Sequence, residues 1–256
     1  MVSFRSHLAE VGSIRRRPVQ SGFIARETRE RTRKPLLLFA LFGVFSGQTL
    51  NSHAAEPLLT SWLSTQTNLQ TWSADVTQTR TLKTLTQPLV ATGKVWFAAP
   101  NRFRWELTSP APTIAVRQPE QMLVIYPKLK RAERYPLDGA QAGPWKDTLA
   151  LLEAGFPRSE AEIESRFNVL SQSVSNLLLD VVLQPRSPSA RRLMPQIKIT
   201  VATNDFTLRA TELHFADGST MRNDFTNAKL NPKLEDALFT PKIESDFKIV
   251  EPAKKL

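Results

Sequence analysis

Six short runs of alternating apolar and polar residues occupy 72–82, 89–97, 102–107, 113–116, 122–126 and 130–135. The breaks between them carry turn residues: Gln87-Pro88, Pro100-Asn101, Ser109-Pro110, Gln118-Pro119 and Tyr126-Pro127. A period of two sends successive side chains to opposite faces of an extended strand. Turn signals at about ten-residue intervals leave no room for crossover helices, so the pattern predicts an antiparallel meander. Its richest part is Trp96-Phe97-Ala98-Ala99-Pro100-Asn101-Arg102-Phe103-Arg104-Trp105-Glu106. There Phe103, Trp105 and Leu107 alternate with Arg102, Arg104 and Glu106, which describes a half-buried strand following a turn.

The period changes on either side of the meander. Leu58, Leu59, Trp62 and Leu63 recur at helical spacing in 56–66, predicting a short amphipathic helix. Trp145, Leu149, Leu152 and Phe156 step by three and four, with Pro144 suited to a first helical turn and Gly155 to an end. A second helical piece is predicted over 159–167, with Ser159 as N-cap and Glu162 three residues on. Further strands follow at 176–183, 196–201, 206–215 and 220–225, and Asp217-Gly218 is a hairpin signal between the last two. The Pro/Ser/Arg-rich stretch 185–195 reads as an exposed loop, and 232–239 as one more helical turn. The sum is a mainly β (α+β) domain of about 10–11 strands with one N-terminal helix and two helical pieces inserted midway. No internal repeat or linker divides it.

The first 54 residues read differently. Nine Lys/Arg face three acids, the apolar run 36–45 follows, and small residues come after it. A cationic start, about ten apolar residues and a small-residue cleavage site describe a secretory signal peptide over 1–54, leaving 55–256 as the exported domain. Ten apolar residues fall short of the ~20 that a membrane helix needs. The leader carries 9 − 3 = +6 of the chain's net +10, so the remainder is only +4. That charge is scattered, which argues against nucleic-acid binding. The chain has no cysteine, which excludes disulfides and a lipid-modified N-terminal Cys, and predicts stability from a buried core.

The catalytic inventory is poor. His214 is the one histidine beyond the leader, and it sits between Leu213 and Phe215 on a predicted strand. Neither a nucleophile–base pair, a phosphate loop nor a metal-ligand cluster is legible, so an enzyme is not expected and no cofactor is. Glu160, Glu162 and Glu164 mark a helix start, where they favour the dipole. What remains is apolar surface, more than a few helical pieces can cover. A curved sheet in that condition can enclose a ligand cavity.

These elements, in this order, resemble the LolA-like family of periplasmic lipoprotein carriers. Val76-Thr77-Gln78 is similar to the family's Phe-x-Gln strand, Trp96 to Trp105 to its aromatic strand pair, and Leu123-Val124-Ile125-Tyr126-Pro127 to its strand ending Tyr-x-Pro. Phe239-Thr240-Pro241 resembles the closing Phe-x-x-Pro segment. The resemblance implies an incomplete antiparallel β-barrel closed by helices over a hydrophobic cavity. It implies a monomeric carrier, in the periplasm, of acylated lipoprotein or lipid cargo, passed from an inner-membrane exporter to an outer-membrane acceptor. The alternative it leaves open is an acyl-binding or sensing module that ferries nothing. By the family pattern Phe103, then Trp105, and Trp96 are cavity residues, Leu59, Trp62 and Leu63 are cavity or core residues, and Leu149, Leu152 and Phe156 are lid candidates, with a plain core role the alternative for each. One departure stands out: Ala99 occupies the position where the family's carriers often place a latch arginine, and Arg102 and Arg104 point away from Phe103 and Trp105 by alternation.

Overall fold

The computed structural model describes residues 52–137, 156–157 and 159–251. Leu149 and Leu152 lie outside these residues, as does the predicted leader except for its last three positions. Helix α1 (Ser52–Thr67) is followed by β1 (Thr71–Thr81), β2 (Leu89–Ala98), β3 (Arg102–Ser109), β4 (Thr113–Arg117), β5 (Gln121–Tyr126) and β6 (Arg131–Pro136). Helix α2 (Glu160–Arg166), β7 (Phe167–Ser175) and β8 (Leu178–Pro185) come next, then α3 (Pro188–Leu193), β9 (Gln196–Ala202), β10 (Leu208–His214), β11 (Thr220–Leu230) and β12 (Lys248–Val250).

The twelve strands among the described residues form one sheet in the order β12-β6-β5-β4-β3-β2-β1-β11-β10-β9-β8-β7. Neighbours are antiparallel except β12, which joins β6 in parallel. The sheet is therefore open, with β7 and β12 as its edges, and does not close into a barrel. The expected incomplete barrel of 10–11 strands is corrected in two respects. Strand β7 was hidden because Ser, Gln and Asn interrupt its apolar alternation, and β12 is only three residues long. The helix predicted to run through Phe167 stops one residue earlier, where Phe167 turns extended and opens β7.

Pairing register assigns the faces. Trp72 opposes Phe97, Phe97 opposes Phe103, and Val95 opposes Trp105, so these side chains share one face, here called the inner face. The same ladder continues through Arg117, Met122 and Tyr135 on one side and through Phe225, Met221 and Leu213 on the other. It reaches Ile197 and Leu183, so one face runs across the sheet. Helix α1 buries Leu59, Trp62 and Leu63 and lies against β7 and β8. Its seat is the inner face of β8, made of Leu179, Val181 and Leu183. The other face of β8 carries Asp180, paired with Lys198 at 2.8 Å and partly exposed.

The outer face is covered in part by the chain's own C-terminal segment. Ala98, Val116 and Phe239 form a buried cluster there, with Trp96, Ile114, Leu234 and Leu238 against it. The short 3-10 helix Asp236–Phe239 carries Phe239 into this cluster. Arg104 donates to the Leu238 carbonyl at 3.2 Å and to Glu106, and Gln118 donates to the Phe239 carbonyl at 2.9 Å. The Arg102 guanidinium lies 4.9 Å from the centre of the Phe239 ring and bonds Asp236 at 2.9 Å.

Candidate functional site

The inner face carries a run of aromatic rings on adjacent strands. Phe225 stands edge-on to Trp72 at 5.3 Å and to Trp105 at 5.9 Å. Phe156 stacks on Phe97, with centroids 4.5 Å apart and planes 5° from parallel, and meets Trp72 edge-on at 5.0 Å. Phe103 begins a second group with Met122, Tyr135 and Leu137, against which Trp105, Ala115 and Val124 pack. Trp105 touches both groups. Apart from Phe156, which lies between β6 and α2, each aromatic sits at an alternate position of its strand and faces an apolar partner across at least one ladder.

Several polar groups interrupt this surface. Glu133, fully buried, accepts from the Tyr135 hydroxyl and from Arg131 at 2.7 Å. Burial first, and then the bond to Glu133, pushes the Tyr135 phenol far above its ordinary value. Asn223, also buried, accepts from Gln78 and donates to Thr211, both at 3.0 Å. The indole N–H groups of Trp105 and Trp62 and the side-chain carbonyl of Gln66 are buried and have no hydrogen-bond partner among the described residues. A buried indole N–H without a partner is an unmet donor, which an ester or amide carbonyl can satisfy only where the side chains covering it give way. Among the described residues no group of three metal-ligating side chains occurs, and no helix is long and apolar enough to cross a membrane.

The structure distributes the sequence-predicted residues unevenly. Phe103 and Trp105 stand together on the inner face, as alternation implied, and Phe156 is seated on the same face beside Phe97 and Trp72. Leu59, Trp62 and Leu63 bury themselves at the β7–β8 end of that face. Trp96 is displaced from the set. It pairs with Arg104 and packs on the outer face toward Phe239, because a residue next to Phe97 in a strand must point the opposite way. Arg102 and Arg104 do point away from Phe103 and Trp105, and they hold the C-terminal segment. Ala99 donates its N–H to the Gln70 carbonyl at 2.8 Å. Phe225 escaped the sequence reading because the pairing of β1 with β11 bridges most of the chain. An aromatic at an alternate position of the predicted strand 220–225 was its one available signal.

Comparison with known proteins supports one family. The sequence model of the family described as outer membrane lipoprotein carrier protein LolA matches residues 67–242. No curated protein matches. An uncharacterized conserved protein from Thermus thermophilus is similar in structure at 10% identity, with a TM-score of 0.46, over 78% of this chain and 99% of that one. A LolA superfamily protein from Nitrosomonas europaea is similar at 12% identity and a TM-score of 0.38, over 71% and 96% of the two chains. An outer membrane lipoprotein-sorting protein domain from Vibrio parahaemolyticus is similar at 10% identity and 0.41, over 74% and 97%. With the family model spanning residues 67–242 of the 256-residue chain, this protein belongs to the LolA family.

Proposed function

We propose that this chain is a non-catalytic periplasmic carrier that shelters the acyl chains of a lipoprotein, or of a related lipid, on the inner face of its sheet. The observation that carries the reading is Phe156 stacked on Phe97 and edge-on to Trp72, a ring set over an aromatic surface that an acyl chain could occupy in its place. Family membership supports the same reading. Each buried methylene contributes about 0.8 kcal/mol, so an acyl chain does not cross water unsheltered. Displacing one aromatic ring by methylene contacts exchanges like for like, which keeps loading and release close in free energy. The Trp105 indole N–H would meet the ester or amide carbonyl at the head of such a chain. Delivery then runs from an inner-membrane exporter to an outer-membrane acceptor that binds the cargo more tightly.

The test is uptake of acylated lipoprotein from isolated membranes into a water-soluble complex, with mass spectrometry for copurified lipid. Phe103→Glu places a charge beside Met122 and Tyr135 and is expected to reduce uptake at least tenfold. Phe156→Ala, at a half-buried position, is expected to alter loading while the fold holds by circular dichroism. A purified protein that carries no lipid and extracts none, with both variants indistinguishable from the parent, sinks the carrier reading.

A further inference from the structure

Among the described residues, five of the eleven exposed large hydrophobics lie at one end of the sheet: Leu85, Leu89, Val90, Leu129 and Leu193. Three others are on the edge strand β7, two at the opposite end and one on β12. Strand polarity fixes this end, since it holds the β1–β2, β3–β4, β5–β6, β8–β9 and β10–β11 connections. Scattered single leucines on a surface need no explanation. The turns that carry these residues neighbour one another along the rim. Lys128, in the turn with Leu129, donates to the Pro110 carbonyl at 3.4 Å. Ser109 pairs with Thr92, which leads back to Val90 and Leu89 in β2. The Lys83 stem lies 3.9 Å from where a Cβ on Gly218 would be, and Ala216, beside that turn, donates to the Leu193 carbonyl at 3.1 Å.

The charges interleaved with these leucines are mostly basic. Lys83, Lys128, Arg191 and Arg192 form no ion pair with any described carboxylate. The acids on the same rim include Asp217, which accepts from the Ser219 N–H at 2.9 Å, Asp246, held by Lys130, and Glu244. Helix α2, which leads into β7 at this end, adds Glu160, Glu164 and Glu162, the last paired with Arg166 at 3.3 Å. We propose that this turn-lined rim docks on an anionic phospholipid bilayer, with the leucines entering the headgroup boundary and these Lys and Arg side chains meeting lipid phosphates. Turn tips that protrude one by one fit a soft planar surface, and the basic charge complements its headgroups. The inference is separate from the cargo reading, because it concerns the edge of the sheet and not its aromatic face.

Sedimentation of the purified protein with protein-free vesicles of phosphatidylglycerol and phosphatidylcholine tests it, against phosphatidylcholine alone. Binding is expected on the anionic vesicles and is expected to fall as salt is raised. Lys83→Glu is expected to weaken it about fivefold or more, following the usual contribution of one surface lysine. The double variant Leu85→Asp, Leu129→Asp is expected to abolish binding with an unchanged melting curve. Leu177→Asp, at the opposite end and 71% exposed, is expected to change nothing. Failure to bind anionic vesicles, equal binding to zwitterionic ones, or full binding by the double variant overturns the proposal. Retention only on native membranes that keep their proteins also overturns it, in favour of a protein partner. Loss of vesicle binding with lipoprotein uptake intact would separate this rim from the cargo site.

Discussion

Gly93 is where one methyl group would do most damage. A Cβ there would lie 1.8 Å from the Glu106 carbonyl oxygen and 2.8 Å from the Leu107 Cα, both backbone atoms that no rotamer change can move aside. The close approach arises because the β2–β3 ladder shifts register between Thr92 and Gly93. Gly93→Ala is expected to cost about 2–3 kcal/mol, read as a lower urea midpoint at an unchanged slope. An unaltered midpoint would mean that the strands can spread at no cost. Tyr135 gives a second residue-scale prediction. Its phenol is held protonated by burial and by Glu133, whereas an unfolded tyrosine ionises near 10.0. The folded value is raised, so the contribution is intact below pH 10 and is lost as pH climbs above it. Tyr135→Phe is expected to lower stability by about 1 kcal/mol at neutral pH and to flatten its decline above pH 10. Parallel declines in parent and variant would remove Tyr135 from the alkaline transition. Trp96 shows how far one residue could be read in advance. Its place beside Phe97 already sent it to the other face, but only the packing of Phe239 revealed a second apolar surface to receive it.

Among elements, the C-terminal segment is held to β3 by arginines rather than by a long apolar seam. Arg104 is mostly buried and serves both Glu106 and the Leu238 carbonyl, so Arg104→Ala leaves polar groups unpaired on the outer face. It is expected to cost about 1–3 kcal/mol and to speed proteolysis between Pro232 and Glu251. Arg102→Ala is expected to cost less, because its partner Asp236 is 87% exposed. Protease resistance equal to the parent's in the Arg104 variant would show that Phe239 alone anchors the segment. Most elements were legible because their periods are clean, as in β8, which alternates half-buried and buried residues throughout. Ser159 was legible as a cap as well: its hydroxyl accepts from the Glu162 N–H at 3.1 Å. Helix α3 was not, since Pro188 suits a first helical turn but six residues carry no measurable period. Strand β7 failed for a related reason: as an edge it leaves Val169, Leu170 and Val174 exposed, so no single face was selected to be apolar.

At the scale of the whole molecule, the inner face was partly legible as an aromatic set and not legible as a surface. Alternation names the face of each strand, while strand order decides which strands share it, and no local period encodes that order. The decisive pairing is β1 with β11, from Trp72 opposite Leu230 to Thr81 opposite Thr220. It brings Phe225 to Trp72 and Trp105, and it joins a half built before α2 to a half built after it. Each half otherwise pairs mainly between strands adjacent in the chain. The seam thus imposes a sequence of events in time. A polypeptide emerging N-terminus first can zip β1 through β6, and later β7 through β10, yet β1 keeps an open edge until Thr220–Leu230 has emerged. The centre of the sheet is completed after both halves, with only the short β12 edge still to come, and an aromatic edge stays open to the wrong partner until then.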